Sequence, residues 1–151
     1  MSDPDSPVIP TDSLVFGYGP MLPLLAAGAG VWLLPAPWPQ IAIRLAVIWA
    51  ALILSFIGGV RRGFGFARPA ASTASEMIAA IAYVTLAGLA LLVPWPSQAL
   101  LLLCLGYVLA ALLDRRAAVR GDAPRHFARL RPPQLLLGAA GLAACLARVL
   151  S

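Results

Sequence analysis

The sequence predicts an all-α membrane protein, a compact bundle of five transmembrane helices with the N-terminus inside and the C-terminus outside. Three observations carry that expectation. Of 151 residues, 61% are apolar and 11% charged, whereas soluble domains run at ~45–50% and ~25%, and the mean hydropathy is +0.88. A chain this short cannot wrap so much apolar surface in polar side chains, so lipid must solvate most of it. Apolar runs long enough to cross ~30 Å of hydrocarbon, about 20 residues each, recur five times between clusters of Pro, Gly and Arg. Finally, the arginines fall on one side of the resulting topology.

The leader, residues 1–13, carries Asp3, Asp5 and Asp12 but no basic residue, and Pro4, Pro7 and Pro10 are spaced by threes. It reads as a disordered cytoplasmic tail that lacks the basic region of a secretory signal. A single membrane domain over residues 14–151 follows. The first span runs over about 14–34 and contains Pro20 and Pro23, which should make its first turns irregular. The second covers about 41–60 and ends at the basic loop Arg61–Arg68; the third covers about 77–95. A Pro94-Trp95-Pro96 turn leads to the fourth, 97–113, and the fifth covers 133–150, with Pro133 suited to the first helical position.

Short loops retain Arg and Lys on the cytoplasmic side. Arg61, Arg62, Arg68, Arg115, Arg116, Arg120, Arg125, Arg129 and Arg131 share one face, while the opposite loops hold none. That face is therefore assigned to the cytoplasm, which places Trp32, Trp38 and Trp95 at the other boundary. All eleven basic residues are arginine and none is lysine, a bias typical of a GC-rich bacterium, so the expected location is a bacterial inner membrane. No internal duplication is visible, which weakens an inverted-repeat transporter reading.

Within the second span Ser55, Gly59 and Gly63 fall four apart, a face of small residues that should pack closely on another helix. Equivalent small faces occur at Ala26 with Gly30, Gly106 with Ala110, and Gly138 with Gly141. Arg61 and Arg62 either anchor the topology or bind a lipid phosphate through their forked donors. With Arg125, Arg129 and Arg131 they are expected to form one cytoplasmic patch for anionic headgroups or an acidic membrane-protein partner. Glu76, the only glutamate, sits in Thr73-Ala74-Ser75-Glu76, which matches a capping box and is compatible with a salt bridge to Arg61 or Arg68; proton transfer is the competing role. Asp114 beside Arg115 suggests an ion pair within the loop. Arg44 and Arg148 lie close enough to the outer interface to snorkel. Tyr18, Tyr83 and Tyr107 can hydrogen-bond inside the bundle, though such tyrosines more often anchor or pack; Cys104 and Cys145 serve as small packing groups without a disulfide, and His126 has no ligand-spaced neighbour.

Several stretches are more specific. Gly17-Tyr18-Gly19-Pro20-Met21-Leu22-Pro23, Leu54-Ser55-Phe56-Ile57-Gly58-Gly59-Val60-Arg61-Arg62-Gly63, Leu113-Asp114-Arg115 and Pro124-Arg125-His126-Phe127-Ala128-Arg129-Leu130-Arg131 together resemble the domain of unknown function 3429 family, itself similar to mitochondrial transmembrane protein 69. The resemblance covers nearly the whole chain and implies five membrane helices and no established activity.

No nucleophile, base and oxyanion set assembles in the sequence, nor a phosphate loop, metal cluster or nucleic-acid motif. The expectation is thus a non-catalytic accessory or assembly protein of a larger membrane complex, with no cofactor and membrane lipids as partners. The alternative is a small carrier or lipid-binding protein that recognises an anionic group at the Gly58-Gly59-Val60-Arg61 helix end.

Overall fold

A computed structural model of the chain describes residues 11–67, 73–123 and 126–151. The described residues are helical apart from short turns. Helix α1 spans Thr11–Tyr18, with Asp12 in its first turn, where a carboxylate favours the positive end of the helix dipole. The expected tail therefore ends earlier than residue 13, since Thr11, Asp12 and Ser13 are already helical; residues 1–10 lie outside the described residues. A 3-10 turn at Gly19–Met21 links α1 to α2, Leu22–Leu33. Pro20 and Pro23 stand in the opening positions of these two elements, where a missing N–H breaks no helical bond. The irregularity expected there is this tightened turn.

The next helices outrun their apolar cores. Helix α3 is Trp38–Ala67, continuing through Gly58, Gly59, Arg61 and Arg62; α4 is Thr73–Leu92, and α5 is Pro96–Arg120. Gly121, in the left-handed conformation at φ 85°, closes α5 as its N–H and that of Asp122 turn back onto Ala118 O and Ala117 O. Helix α6, Phe127–Leu150, starts six residues before the expected first position. Pro132 and Pro133 consequently lie inside the helix, and the carbonyls of Ala128 and Arg129 lose the amide donors they would otherwise receive. Apolar length marked the most apolar portions of these helices, but backbone hydrogen bonding carries them farther. Five helical segments are long and apolar enough to cross a membrane: 14–33, 38–63, 74–92, 96–120 and 127–150.

In the bundle α2 packs between α3 and α6, α4 lies between α3 and α5, and α5 against α6 closes the ring, with α3 also touching α5 across it. Each helix turns small or apolar residues inward at helical spacing. On α4 the buried stripe is Glu76, Ala79, Tyr83, Ala87 and Ala90; on α5 it runs through Leu103, Tyr107, Ala110 and Asp114. Large side chains such as Leu33, Phe56, Ile78 and Leu92 are exposed, as expected of surfaces solvated by lipid.

Close backbone approach occurs where α2 meets α6. A Cβ at Gly28 would stand 2.8 Å from Gly141 O, and one at Gly141 would stand 2.6 Å from the carbonyl carbon of Leu24. Gly138 is enclosed by Met21 and Tyr107, and Gly106 by Leu54. The expected seam on α3 is displaced by one residue. Gly59 and Gly63 face open space, whereas a Cβ at Gly58 would meet Ala80 O of α4 at 3.2 Å; Ser55 is half-buried. Four-residue spacing identified a row of small side chains but not its rotational setting, and α3 turns Leu54, Ile57 and Gly58 inward instead. The pairing of Ala26 with Gly30 fails for the same reason: Ala26 is exposed, and Gly28 makes the contact.

Polar side chains also pin one element to another. The Trp49 indole N–H donates to Pro20 O at 2.8 Å, and the buried Tyr107 hydroxyl donates to Ala50 O at 3.3 Å. At the end opposite the loop arginines, Arg148 Nε donates to Val31 O at 3.1 Å and its guanidinium lies 5.6 Å from the Trp32 ring centroid.

Candidate functional site: a buried ion network and an adjoining cleft

The arginine-rich end of the bundle contains two arginines and two acids that four different helices turn toward one another. Arg61 comes from the last third of α3, Glu76 from the first turn of α4, Asp114 from α5 and Arg131 from the start of α6. Arg61 Nε lies 2.6 Å from Glu76 Oε2, an ionic contact in which the N–H is not aligned as a hydrogen bond. Arg61 Nη1 donates to Asp114 Oδ1 at 3.0 Å and to Leu113 O at 3.0 Å. The Tyr83 hydroxyl donates to the same Oδ1 at 3.1 Å, and Arg131 Nε stands 3.8 Å from Oδ2. Arg61 is 3% exposed, Glu76 0%, Asp114 4% and Arg131 8%.

Burial dictates that these groups neutralise one another. Removing a single charge from water costs several kcal/mol, and mutual attraction repays that cost only when charges balance and hydrogen bonds occupy the remaining lone pairs. Two positive and two negative groups balance formally. Asp114 receives donors from α3 and α4 and faces a cation from α6, so this one carboxylate links four helices. Arg131 is further supported by the Phe127 ring, whose centroid is 4.5 Å from its guanidinium carbon. Just ahead of α6, burial and the charge of Arg131 hold the His126 imidazole below its ordinary pKa, so it resists becoming a further cation.

This geometry corrects the arginine patch. Arg61 and Arg131 turn into the bundle, toward Glu76 and Asp114, rather than outward at its arginine-rich end. Arg62 is half-buried, Arg129 exposed, and Arg125 lies outside the described residues. Asp114 likewise turns away from Arg115, which is exposed, while Arg120 pairs with Asp122 at 3.6 Å. Of the readings for Glu76, the contact with Arg61 is present; Thr73, whose side chain would complete a capping box, is a residue whose side chain is not among those described. Beyond the Arg61–Glu76 contact the network has no signal in the loop arginines, whose distribution reports topology and not the helix faces that Glu76 and Asp114 occupy. Asp114 follows Tyr107 by seven residues and Ala110 by four, so it continues the buried face of α5.

Next to the network a cleft of about 480 Å³ opens between α1, α3 and the start of α6. Phe16, Phe56, Ile57 and Val60 line its apolar part, and Arg131 and Gln134 supply its polar end. Gln134 is 3% exposed and its Oε1 has no hydrogen-bond partner. Gly17 brings α1 close to it, since a Cβ there would stand 3.2 Å from that oxygen. Elsewhere, Cys104 and Cys145 are free thiols, with Cys104 Sγ 3.9 Å from Ala139 O. Among the described residues, no group of three His, Cys, Asp or Glu side chains is placed to hold a metal ion.

The family model described as "Protein of unknown function (DUF3429)" matches residues 9–150. The chain belongs to that family. No curated protein and no solved structure matches it.

Proposed function

We propose that this member of the DUF3429 family is a non-catalytic, multi-pass protein of a bacterial inner membrane that acts through helix packing, as an accessory or assembly protein of a larger membrane complex. Its N-terminus and arginine-rich end face the cytoplasm, in keeping with the bias of the loop arginines. The observation that carries the reading is the Arg61–Glu76–Asp114–Arg131 network. Ionisable groups inside a membrane bundle ordinarily mark a transport path or a site of chemistry. Here they contact one another across four helices, with Tyr83 engaged by the same carboxylate, an arrangement suited to holding the bundle in one form. A rigid bundle with an apolar exterior and with Arg115, Arg116 and Arg129 exposed offers a stable surface to a membrane partner with acidic cytoplasmic groups.

The test is affinity purification of the tagged full chain from native membranes in mild detergent, with quantification of co-purifying proteins. A stoichiometric membrane partner, reduced when Arg115, Arg116 and Arg129 are replaced with Gln, is the expected result. Recovery of the chain alone, or an unchanged partner set in the variant, contradicts the reading.

A further inference from the structure

The cleft beside the network has the chemistry of a ligand site, and nothing in the packing role requires it. Its volume of about 480 Å³ falls within the ~300–1,000 Å³ of sites that enclose a small ligand. Its walls are apolar, yet Gln134 holds a buried carbonyl oxygen without a donor at the inner end, where an unmade hydrogen bond is costly. Arg131 lies beside it, its Nε 3.8 Å from Asp114 Oδ2 and without a hydrogen bond. The exposed rings of Phe16 and Phe56 flank the lateral opening.

We infer that this cleft binds a single acyl chain that ends in an acyl carbonyl, with the chain along Phe56, Ile57 and Val60 and the carbonyl end at Gln134 and Arg131. The inference rests on membrane insertion but is independent of any protein partner. Charge selects the head. The four-membered network is already balanced, so a full anion would leave an excess negative charge in a buried place, whereas a neutral ester or protonated carboxyl adds none. A protonated carboxyl donates to Gln134 Oε1 and accepts from Arg131. An ester carbonyl accepts from Arg131 or from the Gln134 amide in its flipped orientation, since amide oxygen and nitrogen exchange places without moving heavy atoms. One cleft of this size admits one chain. A free fatty acid and one arm of a glycerolipid share this chemistry.

The molecule supplies its own comparison. A second cleft of about 440 Å³ lies between α2 and α3, lined by Pro23, Ala26, Ala42, Leu45 and Trp49 among others. Its one polar side-chain group, the Trp49 indole N–H, already donates to Pro20 O. It provides apolar volume without an available hydrogen-bonding group.

The full chain in lipid nanodiscs is to be photolabelled in parallel with a diazirine-bearing palmitic acid and with a phosphatidylglycerol bearing the diazirine on one acyl chain, and the crosslinked peptides mapped by mass spectrometry. Labelling is expected at Phe56–Val60 and Phe127–Gln134, at least fivefold above that at Ala42–Trp49. Gln134→Leu should reduce it at least fivefold. Val60→Trp, which fills the cleft from a half-buried position, should remove it while the protein retains its thermal midpoint. Labelling by palmitic acid alone identifies the free acid as occupant, and labelling by the phospholipid alone identifies the ester. Equal labelling of both clefts, labelling by neither probe, or labelling that survives both substitutions overturns the inference.

Discussion

Replacing Gly141 with Ala places one methyl group between α2 and α6 and tests whether these helices are packed backbone to backbone. The added Cβ would stand 2.6 Å from the carbonyl carbon of Leu24 and 3.0 Å from Leu25 N, against 3.4–4 Å for ordinary contact. These are main-chain atoms, so no rotamer change relieves the overlap, and the helices must separate by several tenths of an ångström. Inserting a methylene into a well-packed interior costs about 1–3 kcal/mol. For helices embedded in lipid, association depends on van der Waals packing, with no large hydrophobic contribution to compensate. Gly59→Ala is the matched control. It faces open space and replaces the poorer helix former, so it should be neutral or raise stability by up to about 1 kcal/mol. The two variants should be compared by thermal unfolding of the full chain in one mild detergent, followed by size-exclusion recovery. Equal midpoints for Gly141→Ala and wild type, or an equal loss in Gly59→Ala, would refute the packing described for α2 and α6.

Three further outcomes follow. A phosphatase fused after Ser151 should be active and a cytoplasm-only fluorescent protein at the same position dark; the reverse would invert the orientation assigned from the loop arginines. Cys104 and Cys145, both free, should be alkylated quantitatively when fresh membranes are denatured without reductant, whereas recovery of a linked pair would contradict their packing role. Arg129→Gln, at an exposed position, should change stability by less than about 0.5 kcal/mol; a larger loss in thermal unfolding would mean that Arg129 too is engaged in the bundle.

What the sequence made legible was governed by solvent. Apolar runs between proline and arginine clusters located all five helical segments because hydrocarbon thickness imposes a length. Helix ends were less legible: α3 continues past Arg61 to Ala67 and α6 begins at Phe127, since amphipathic turns lower the apolar average without breaking backbone hydrogen bonds. The candidate site was legible only in part. The sequence marks Arg61 and Arg131 and a contact from Arg61 to Glu76, but it points both arginines to an outward patch. Their inward direction depends on the rotation of four helices about their axes, which loop-charge counting does not address. The same missing rotation set the α3 seam at Gly59 when Gly58 makes the contact. Gln134 and the cleft had no sequence signal beyond one amide on the Leu130–Gln134–Gly138 face, because a cavity is produced by the fit of three helices.

Buried charges clamp the bundle together, and a double-mutant cycle on Arg61 and Asp114, 3.0 Å apart, measures that clamp. Asp114→Asn leaves two arginines facing one acid, and Arg61→Gln leaves two acids facing one arginine. Each single change should lower stability by about 3–5 kcal/mol through the unpaired buried charge. The double variant restores the balance, so its loss should fall short of the two single losses combined by ~0.5–3 kcal/mol. Measured by unfolding of the full chain in detergent, that shortfall is the predicted result. Single variants as stable as wild type, or a double variant whose loss equals the two combined, would contradict the account.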